Sequence, residues 1–412
     1  MGERLSQPEH VQALDGVRVV EWTEALAGPY CAMLLGDLGA DVIKVERPGT
    51  GDQSRGWGPP FAGPESAYFL SANRNKRSLT LNLNHPRGVG IMRDLVAHAD
   101  VFVHNQPRRE SLLKRGLDYE KVCAANPRLI YCAISGYGWT GPKAGLPGYD
   151  ILAQGEAGIM SITGEPGDKP MRYPIAIADV SCGIYATMGI LAALLVRERV
   201  GKGQFLDLSL LDSQLAWLVN IGSAYLNAQE SPKRFGNAHP SIVPYQLFQA
   251  SDDRYLMVAV GTEALWGRFC RVLGIEETIG RDSRYADNRL RIENRAELIP
   301  SLERIFSARP IQDWLVRFRE AEIPAGPVNT VDEALRDPQI FARHAIVEIE
   351  HPLIGLARSI ANPIKMSATP VHYRYPPPLL GEHNAAILGE LGLPPGEIAS
   401  LQREGVLQRF SG

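Results

Sequence analysis

The sequence predicts an α/β fold: a mostly parallel sheet with helices on both faces, then a second, smaller domain, then a tail that returns to the first. Three observations predict it. From Val17 onward, apolar runs of strand length alternate with segments of helical spacing, the pattern of βα units rather than of hairpins. A break rich in Gly, Asn, His and Pro, Ser231–Pro244, interrupts that alternation. Beyond residue 335 the pattern changes again, to extended segments and two short helices. The expected domains are therefore 10–228, 229–335 and 336–412, the last completing the first.

Taken in order, Val17–Trp22 reads as a buried strand, Gly28-Pro29 as a turn, the residues through Leu38 as a helix and Asp41–Val45 as a strand, together one βαβ unit. A Gly- and Pro-rich loop follows, then Asn73–Arg77 and a strand over Leu79–Leu83. Pro86 opens a helix to His98. Val101–Val103 is a strand, Glu110–Arg115 a short helix and Leu129–Ser135 a strand. Gln204–Leu210 reads as a strand and Leu211–Leu226 as a helix. In the second domain, Tyr255–Val260 is a strand, with helices over Ala264–Leu273, Asn294–Phe306 and Pro310–Glu320. The last of these sets Ile311, Trp314, Leu315 and Phe318 on one face.

The totals exclude several classes. A chain of 412 residues, 45% hydrophobic and 22% charged, has an ordinary globular composition. Its net charge of -3 and lack of a basic face argue against nucleic acid as a partner. The longest apolar run, Gly183–Val196, falls short of a membrane span, and MGERLSQPEH lacks the apolar core of a signal peptide, so a soluble, cytoplasmic protein with no membrane partner is expected. The five cysteines are scattered, with no CxxC pair, and predict neither disulfides nor a metal site.

The chain is organised around the stretch from Arg172 to Lys202. Pro174–Ala178 is a short apolar run. Gly183–Val196 has Ile184, Met188, Leu191 and Leu195 at helical spacing, which places Asp179 at a strand-to-helix junction. Two readings are open there. Asp179 or Ser181 caps the helix; or Asp179, ionised with an ordinary pKa of about 3.9 and favoured by the helix N-terminus, is a nucleophile. A second motif, Gly136-Tyr137-Gly138-Trp139-Thr140-Gly141, is a literal GxGxxG after a strand. Pro142, Gly145, Pro147 and Gly148 follow at once, so no helix can start there to receive a pyrophosphate, and the dinucleotide-dehydrogenase reading is weak.

Several segments together carry a resemblance. They are LDGVRVVEWTEALAGPYCAMLLGDLGADVIKVERPGTGD, NRNKRSLTLNL, RLIYCAISGYGWTGP, PGYD, IAIADVSCGIYATMGILAALLVRERVGKGQFLDLSLLDS, IPAGPVN and PPPLLGEH. Over essentially the whole chain they resemble the class III CoA-transferases, the CaiB/BaiF group that includes formyl-CoA:oxalate CoA-transferase. GDQSRGWGPPFAGPES, NAHPSIVPYQLF and PPPLLGEHN are most similar to the branch that moves CoA between dicarboxylic acids, such as succinyl-CoA:glutarate (hydroxymethylglutarate) CoA-transferase.

The resemblance implies a Rossmann-like large domain, a smaller α+β domain and a homodimer of interlocked rings. It implies that Asp179 is the nucleophile, passing through a mixed anhydride and an aspartyl-CoA thioester, with CoA and acyl-CoA as substrates and no tightly bound cofactor. Arg47 matches the family's CoA-binding arginine. Leu81 and Asn82 match positions at the adenosine end, and Ser135, Gly136, Tyr137 and Gly138 match the loop beside the thioester. Arg74 and Lys76, with Arg77, are candidates for a phosphate contact against the alternative of a solvated loop.

Departures matter. The family's Asn-aromatic-x-Pro-Gly loop reads Asn105-Gln106-Pro107-Arg108-Arg109 here, so the CoA contact is carried over at Asn105 alone. The glycine run of the formyl-CoA enzymes is replaced by Asn237–Ser241, and Leu26 stands where they have a Gln, which points away from a formyl or oxalyl group. A dicarboxylate needs a partner for its distal carboxylate; the candidates are Arg55, Arg172, His239 and Ser241, the histidine being equally readable as a loop cap. The α-methylacyl-CoA racemases share the fold but use a His where this chain has Tyr149, and a phenol is a poor base at neutral pH. Tyr149 is expected to pack against the substrate or the sheet. A CoA-binding protein without turnover is the remaining alternative.

Overall fold

A computed structural model describes residues 11–409; the stretch MGERLSQPEH and the outer bounds 10 and 412 of the expected domains lie outside the described residues. The fold is a mixed α/β fold with a parallel central sheet. The chain divides into two compact units. The larger takes the residues up to Ile159, Arg172–Ser223 and everything from Phe341 on; the smaller takes Met160–Met171 and Ala224–Ile340. The expectation of one continuous domain over 10–228 is corrected by Met160–Met171. Arg234 donates to the carbonyls of Ser161 and Asp168, and Gly236 N–H to Gly164 O at 3.2 Å, which ties that stretch to the smaller unit.

The larger unit is built on six parallel strands: β1 (Arg18–Trp22), β2 (Asp41–Glu46), β3 (Lys76–Thr80), β4 (Val101–His104), β5 (Ile130–Ser135) and β6 (Phe205–Ser209). Their order across the sheet is β3-β2-β1-β4-β5-β6, so the direction in which successive strands are added reverses between β1 and β4, with every strand still parallel. Alternate residues face opposite layers. Val19, Val42, Val101 and Val103 pack with α1 (Ala27–Asp37), while Val20, Ile43, Phe102 and Tyr131 pack with the helix Pro86–Ala97. Burial on both faces is why these strands read as continuous apolar runs.

Departures from the expected elements have local causes. The third strand begins at Lys76, not Leu79, because the cations that make Lys76 and Arg77 look like loop are buried in ion pairs, Lys76 with Glu21 at 2.9 Å and Arg77 with Asp41 at 2.7 Å. Gly28-Pro29 is no turn but lies in the first turn of α1, where proline is tolerated. Pro174–Ala178 is no strand: an irregular segment runs into the helix Ile177–Val200. The expected helix Leu211–Leu226 is divided by a 3-10 turn at Ala216–Leu218. The helix Ile177–Val200, at 24 residues, is long and apolar enough by composition to cross a membrane, beyond what Gly183–Val196 suggests. Its buried Arg197 pairs with Asp100 at 2.8 Å, and its Ala186 and Ile190 pack with Cys31 and Leu35 in the core of the larger unit.

The tail joins the larger unit at the β3 edge. Asn384 Oδ1 accepts from Thr80 N–H at 2.8 Å, Ser78 N–H reaches His383, and Arg374 donates to Ala40 O at 2.7 Å. These contacts satisfy edge groups that would otherwise be free. The smaller unit is an antiparallel sheet ordered Ala325–Pro327, Tyr255–Ala259, Tyr245–Gln249, the last strand absent from the sequence reading. Helices Glu263–Leu273, Arg295–Phe306 and Ile311–Glu320 cover it around Phe248, Phe269, Phe306, Trp314 and Phe318.

Candidate active site

The carboxyl ends of all six strands open on one cleft of about 1150 Å³ in the larger unit. Thr23–Ala27 follow β1, Arg47 and Asp52 follow β2, Leu81–Asn84 follow β3, Asn105 follows β4, Ser135 and Gly136 end β5, and Leu210 follows β6. A parallel sheet places its ligand site there, at the point where strand order reverses.

Asp179 lies on the cleft wall as the third residue of α3 (Ile177–Val200), the helix packed beside α2 (Asp150–Glu156). Neither Asp179 nor Ser181 caps α3; the Ser181 hydroxyl donates back to Ile177 O. The cap comes from another element. Asp150 Oδ1 accepts from Ala178 N–H at 2.8 Å, while Asp150 Oδ2 accepts from Gln154 Nε2 at 2.7 Å. Gln154, wholly buried, also accepts from Tyr173 N–H at 2.8 Å and so fixes the segment entering α3. The expectation of an ordinary, ionised Asp179 is corrected. Burial first, and the charge of Asp150 second, push its carboxyl up to about 7. The helix N-terminus works in the opposite direction and is outweighed.

Of the residues singled out in the sequence, Arg47, Leu81, Asn82, Asn105, Ser135, Gly136, Tyr149 and Arg172 line the same cleft as Asp179. Arg47 is paired with Glu24 at 2.7 Å. Asn105 clamps Glu24 from both sides, accepting from its N–H at 3.2 Å and donating to its carbonyl at 2.9 Å. Arg172 is exposed, with no hydrogen bond or ion pair among the described residues. Gly136 is required by contact: a Cβ there would come within 2.4 Å of Gly148 Cα, so the GxGxxG loop lies against PGYD rather than opening a helix.

Others are elsewhere. Tyr137 and Gly138 do not line the cleft. The Tyr137 hydroxyl donates to Glu156 at 3.0 Å, and Gly138 N–H to Ser135 Oγ at 2.8 Å. Arg74, Lys76 and Arg55 are corrected from ligand contacts to buried structural cations. Arg74 forks onto Asp37 at 2.9 and 2.6 Å; Lys76 serves Glu21, Asn73 Oδ1 and Pro29 O. Arg55 forks onto Glu46 at 2.7 and 2.9 Å, donates to Pro378 O and stacks on Phe69. His239 and Ser241 belong to the smaller unit, where His239 Nδ1 accepts from Ser241 N–H at 3.0 Å, a loop cap.

The sequence reading passed over four lining residues. Asp150 was hidden behind Tyr149. Tyr68 and Trp57 sit in the Gly- and Pro-rich loop, their rings edge-to-face at 4.8 Å. Burial, then the charges of Asp179, Asp150 and Asp52, push the Tyr68 phenol up to about 12, so it stays protonated on the cleft that Asp179 also lines. Arg115, at the end of the short helix expected over Glu110–Arg115, is held on the cleft by Leu83 O and Asn84 Oδ1, both at 3.0 Å. Among the described residues no group of three or more His, Cys, Asp and Glu could hold a metal.

The site can therefore bind an anion-bearing ligand along Arg47 and Arg115 and present a nearly neutral-pKa carboxyl to a carbonyl carbon. Comparison with known proteins agrees. The chain matches CoA-transferase family III over residues 14–384. It is 42% identical over 409 residues to the succinyl-CoA:glutarate CoA-transferase of Mus musculus, covering 99% of this chain and 93% of that one. It is 43% identical over 394 residues to the succinate–glutarate CoA-transferase of Agrobacterium fabrum, covering 93% and 97%. Among solved structures, a CaiB/BaiF family protein from Brucella suis superposes with a TM-score of 0.83 at 42% identity, covering 92% of this chain and 99% of that one.

Proposed function

The chain belongs to CoA-transferase family III, and from that membership we propose that it moves CoA from succinyl-CoA, or another dicarboxylyl-CoA, to a second dicarboxylic acid, with Asp179 as the covalent carrier. The observation that carries the proposal is the placement of Asp179 with a carboxyl near 7 in a cleft that also holds Arg47 and the partnerless Arg172. The ionised Asp179 attacks the thioester carbonyl, the C–S bond breaks and CoA leaves as thiolate, giving a mixed anhydride. The thiolate then attacks the aspartyl carbonyl; the first acid departs as carboxylate and an aspartyl-CoA thioester remains. The acceptor's carboxylate attacks that carbonyl and expels the thiolate, forming a second anhydride. Attack of the thiolate on the acceptor's acyl carbon completes acyl-CoA and returns Asp179 to its carboxylate. Thioester and anhydride exchange without oxidation, and the Tyr68 phenol is a donor available to the developing oxyanion.

Arg47 and Arg115 would take the nucleotide phosphates, and Arg172 the distal carboxylate of the acyl chain or acceptor. Succinyl-CoA as donor and glutarate as acceptor are the names carried by the mouse and Agrobacterium relatives; a relative from Chloroflexus aurantiacus is named for D-citramalate. The exposed Ile184, Met188, Leu195, Val196 and Val200 on the core helix α3 support a second copy as their cover, and with it a cytoplasmic homodimer of interlocked rings. The test is mass spectrometry of the protein mixed with succinyl-CoA alone. A CoA adduct mapped to Asp179 and released by glutarate supports the proposal; an adduct on another residue, or turnover with none, sinks it.

A further inference from the structure

One wall of the cleft, Thr23–Leu26, is irregular backbone, and three side chains from other elements hold it. Lys44 Nζ donates to Thr23 O at 3.1 Å, Asn105 brackets Glu24, and Asp52 Oδ1 accepts from Ala25 N–H at 3.1 Å. Ala25 sits at φ 72°, in the left-handed region that a Cβ disfavours. Such a conformation persists only where its surroundings over-determine it. Asp52 is itself over-determined: it is 1% exposed, its Oδ1 also accepts from Ser54 N–H at 2.9 Å and Ser54 Oγ at 2.7 Å, and its Oδ2 meets Lys44 at 2.9 Å. Lys44 in turn is wholly buried against Glu21 at 2.9 Å. A chain of buried charges thus ends on one strained peptide at the cleft.

That peptide joins two working parts. On one side Glu24 holds Arg47. On the other, Ala27 O lies so close to the helix of Asp179 that a Cβ on Gly183 would come within 2.8 Å of it. We propose that Asp52 is a positioning residue for CoA transfer: braced by Lys44, it holds Ala25 left-handed and so sets the spacing between the Arg47 end of the cleft and the first turns of α3. The inference rests on the reading of this cleft as the acyl-CoA site.

The test separates positioning from mere stability by a double-mutant comparison. Glycine adopts φ near 72° without strain, so Ala25→Gly removes the need for the clamp without replacing the buried ion pair. Asp52→Ala, or Asp52→Asn if that variant does not fold, is measured in both backgrounds by kcat/KM for succinyl-CoA and by thermal melting. The expected result is a loss of about tenfold in kcat/KM when Ala25 is present and of about threefold or less with Ala25→Gly, while the drop in Tm is the same in both. Equal losses of activity in the two backgrounds, or no loss in either, would overturn the proposal. Failure of the underlying reading looks different: the unmodified protein would neither bind CoA by calorimetry nor transfer it.

Discussion

Asp150 caps the helix that carries Asp179. Its Oδ1 accepts from Ala178 N–H at 2.8 Å, and its charge adds to burial in raising the Asp179 carboxyl to about 7. One side chain thereby fixes the first turn of the helix that carries Asp179 and adds to the burial that raises the pH at which that carboxyl ionises. A more basic carboxylate is the better nucleophile once ionised, and a value near working pH keeps the ionised fraction substantial.

The pH profile follows from this. With Asp179 as nucleophile, kcat/KM for acyl-CoA should rise with pH through a midpoint near 7 and level off above it. Asp150→Asn removes the like charge but can still accept the Ala178 N–H, and should move the midpoint down by about one unit. A midpoint near 4 in the unmodified protein, or one unmoved in the variant, would contradict the electrostatic role given to Asp150.

Replacing Asp179 itself should abolish activity and strengthen the fold. Asp179→Asn is expected to lower kcat by at least about 10³-fold with CoA binding retained, and to form no hydroxylamine-sensitive adduct. The stability sign is opposite to that of most carboxylates. The folded-state value, about 7, lies above the ordinary 3.8, so the folded protein holds the proton more tightly. Stability from this group is complete below the ordinary value and is lost as pH rises through 7. Asparagine avoids that loss, and Asp179→Asn should be more stable than the unmodified protein at pH 8 by roughly 1–2 kcal/mol, seen as a higher Tm, with the difference vanishing in acid. Equal melting at both pH values would argue against a buried, raised carboxyl.

The cation proposed for the distal carboxylate can be tested by acceptor chemistry. Arg172→Ala should raise KM for glutarate by about tenfold to a hundredfold, the size of a lost charge-assisted contact, and leave a monocarboxylic acceptor of equal length unchanged. If both acceptors respond alike, Arg172 serves the fold or the CoA moiety instead.

The fold was legible where burial leaves a period and obscure where charge is buried. Val17–Trp22, Asp41–Val45 and Leu129–Ser135 come within one residue of the observed strands because they are apolar on both faces. The third strand is displaced because Lys76 and Arg77 look like surface, and nothing local reveals that Asp41 awaits on the adjacent β2 and Glu21 on β1 beyond it. The same blindness misplaced Arg55 and Arg74: an arginine in a polar loop has the same sequence signature whether it meets a phosphate or a carboxylate of its own chain. Arg47, Leu81, Asn105 and Ser135, carried over from the family resemblance, lie at or just past strand ends and line the cleft, where a parallel sheet delivers such residues. The roles of Asp150 and Asp52 leave no sequence signal because each is aimed at a backbone N–H, of Ala178 and Ala25, which every sequence possesses.

That distinction between two arginines yields a final prediction. Arg55 is 12% exposed and forks onto the buried Glu46, whereas Arg47 is 63% exposed and meets Glu24 at the cleft mouth. Arg55→Ala strands a buried carboxylate and should cost about 3–5 kcal/mol of stability, as breaking a buried pair does. What folds should keep its KM for both substrates. Arg47→Ala should change stability by less than about 0.5 kcal/mol, since an exposed pair contributes little, but raise KM for acyl-CoA several-fold and flatten its dependence on salt. Chemical denaturation and steady-state kinetics on the two variants check this together. The reverse pattern, a stable Arg55→Ala with a raised acceptor KM, would restore Arg55 to the substrate site and remove Arg172 from it.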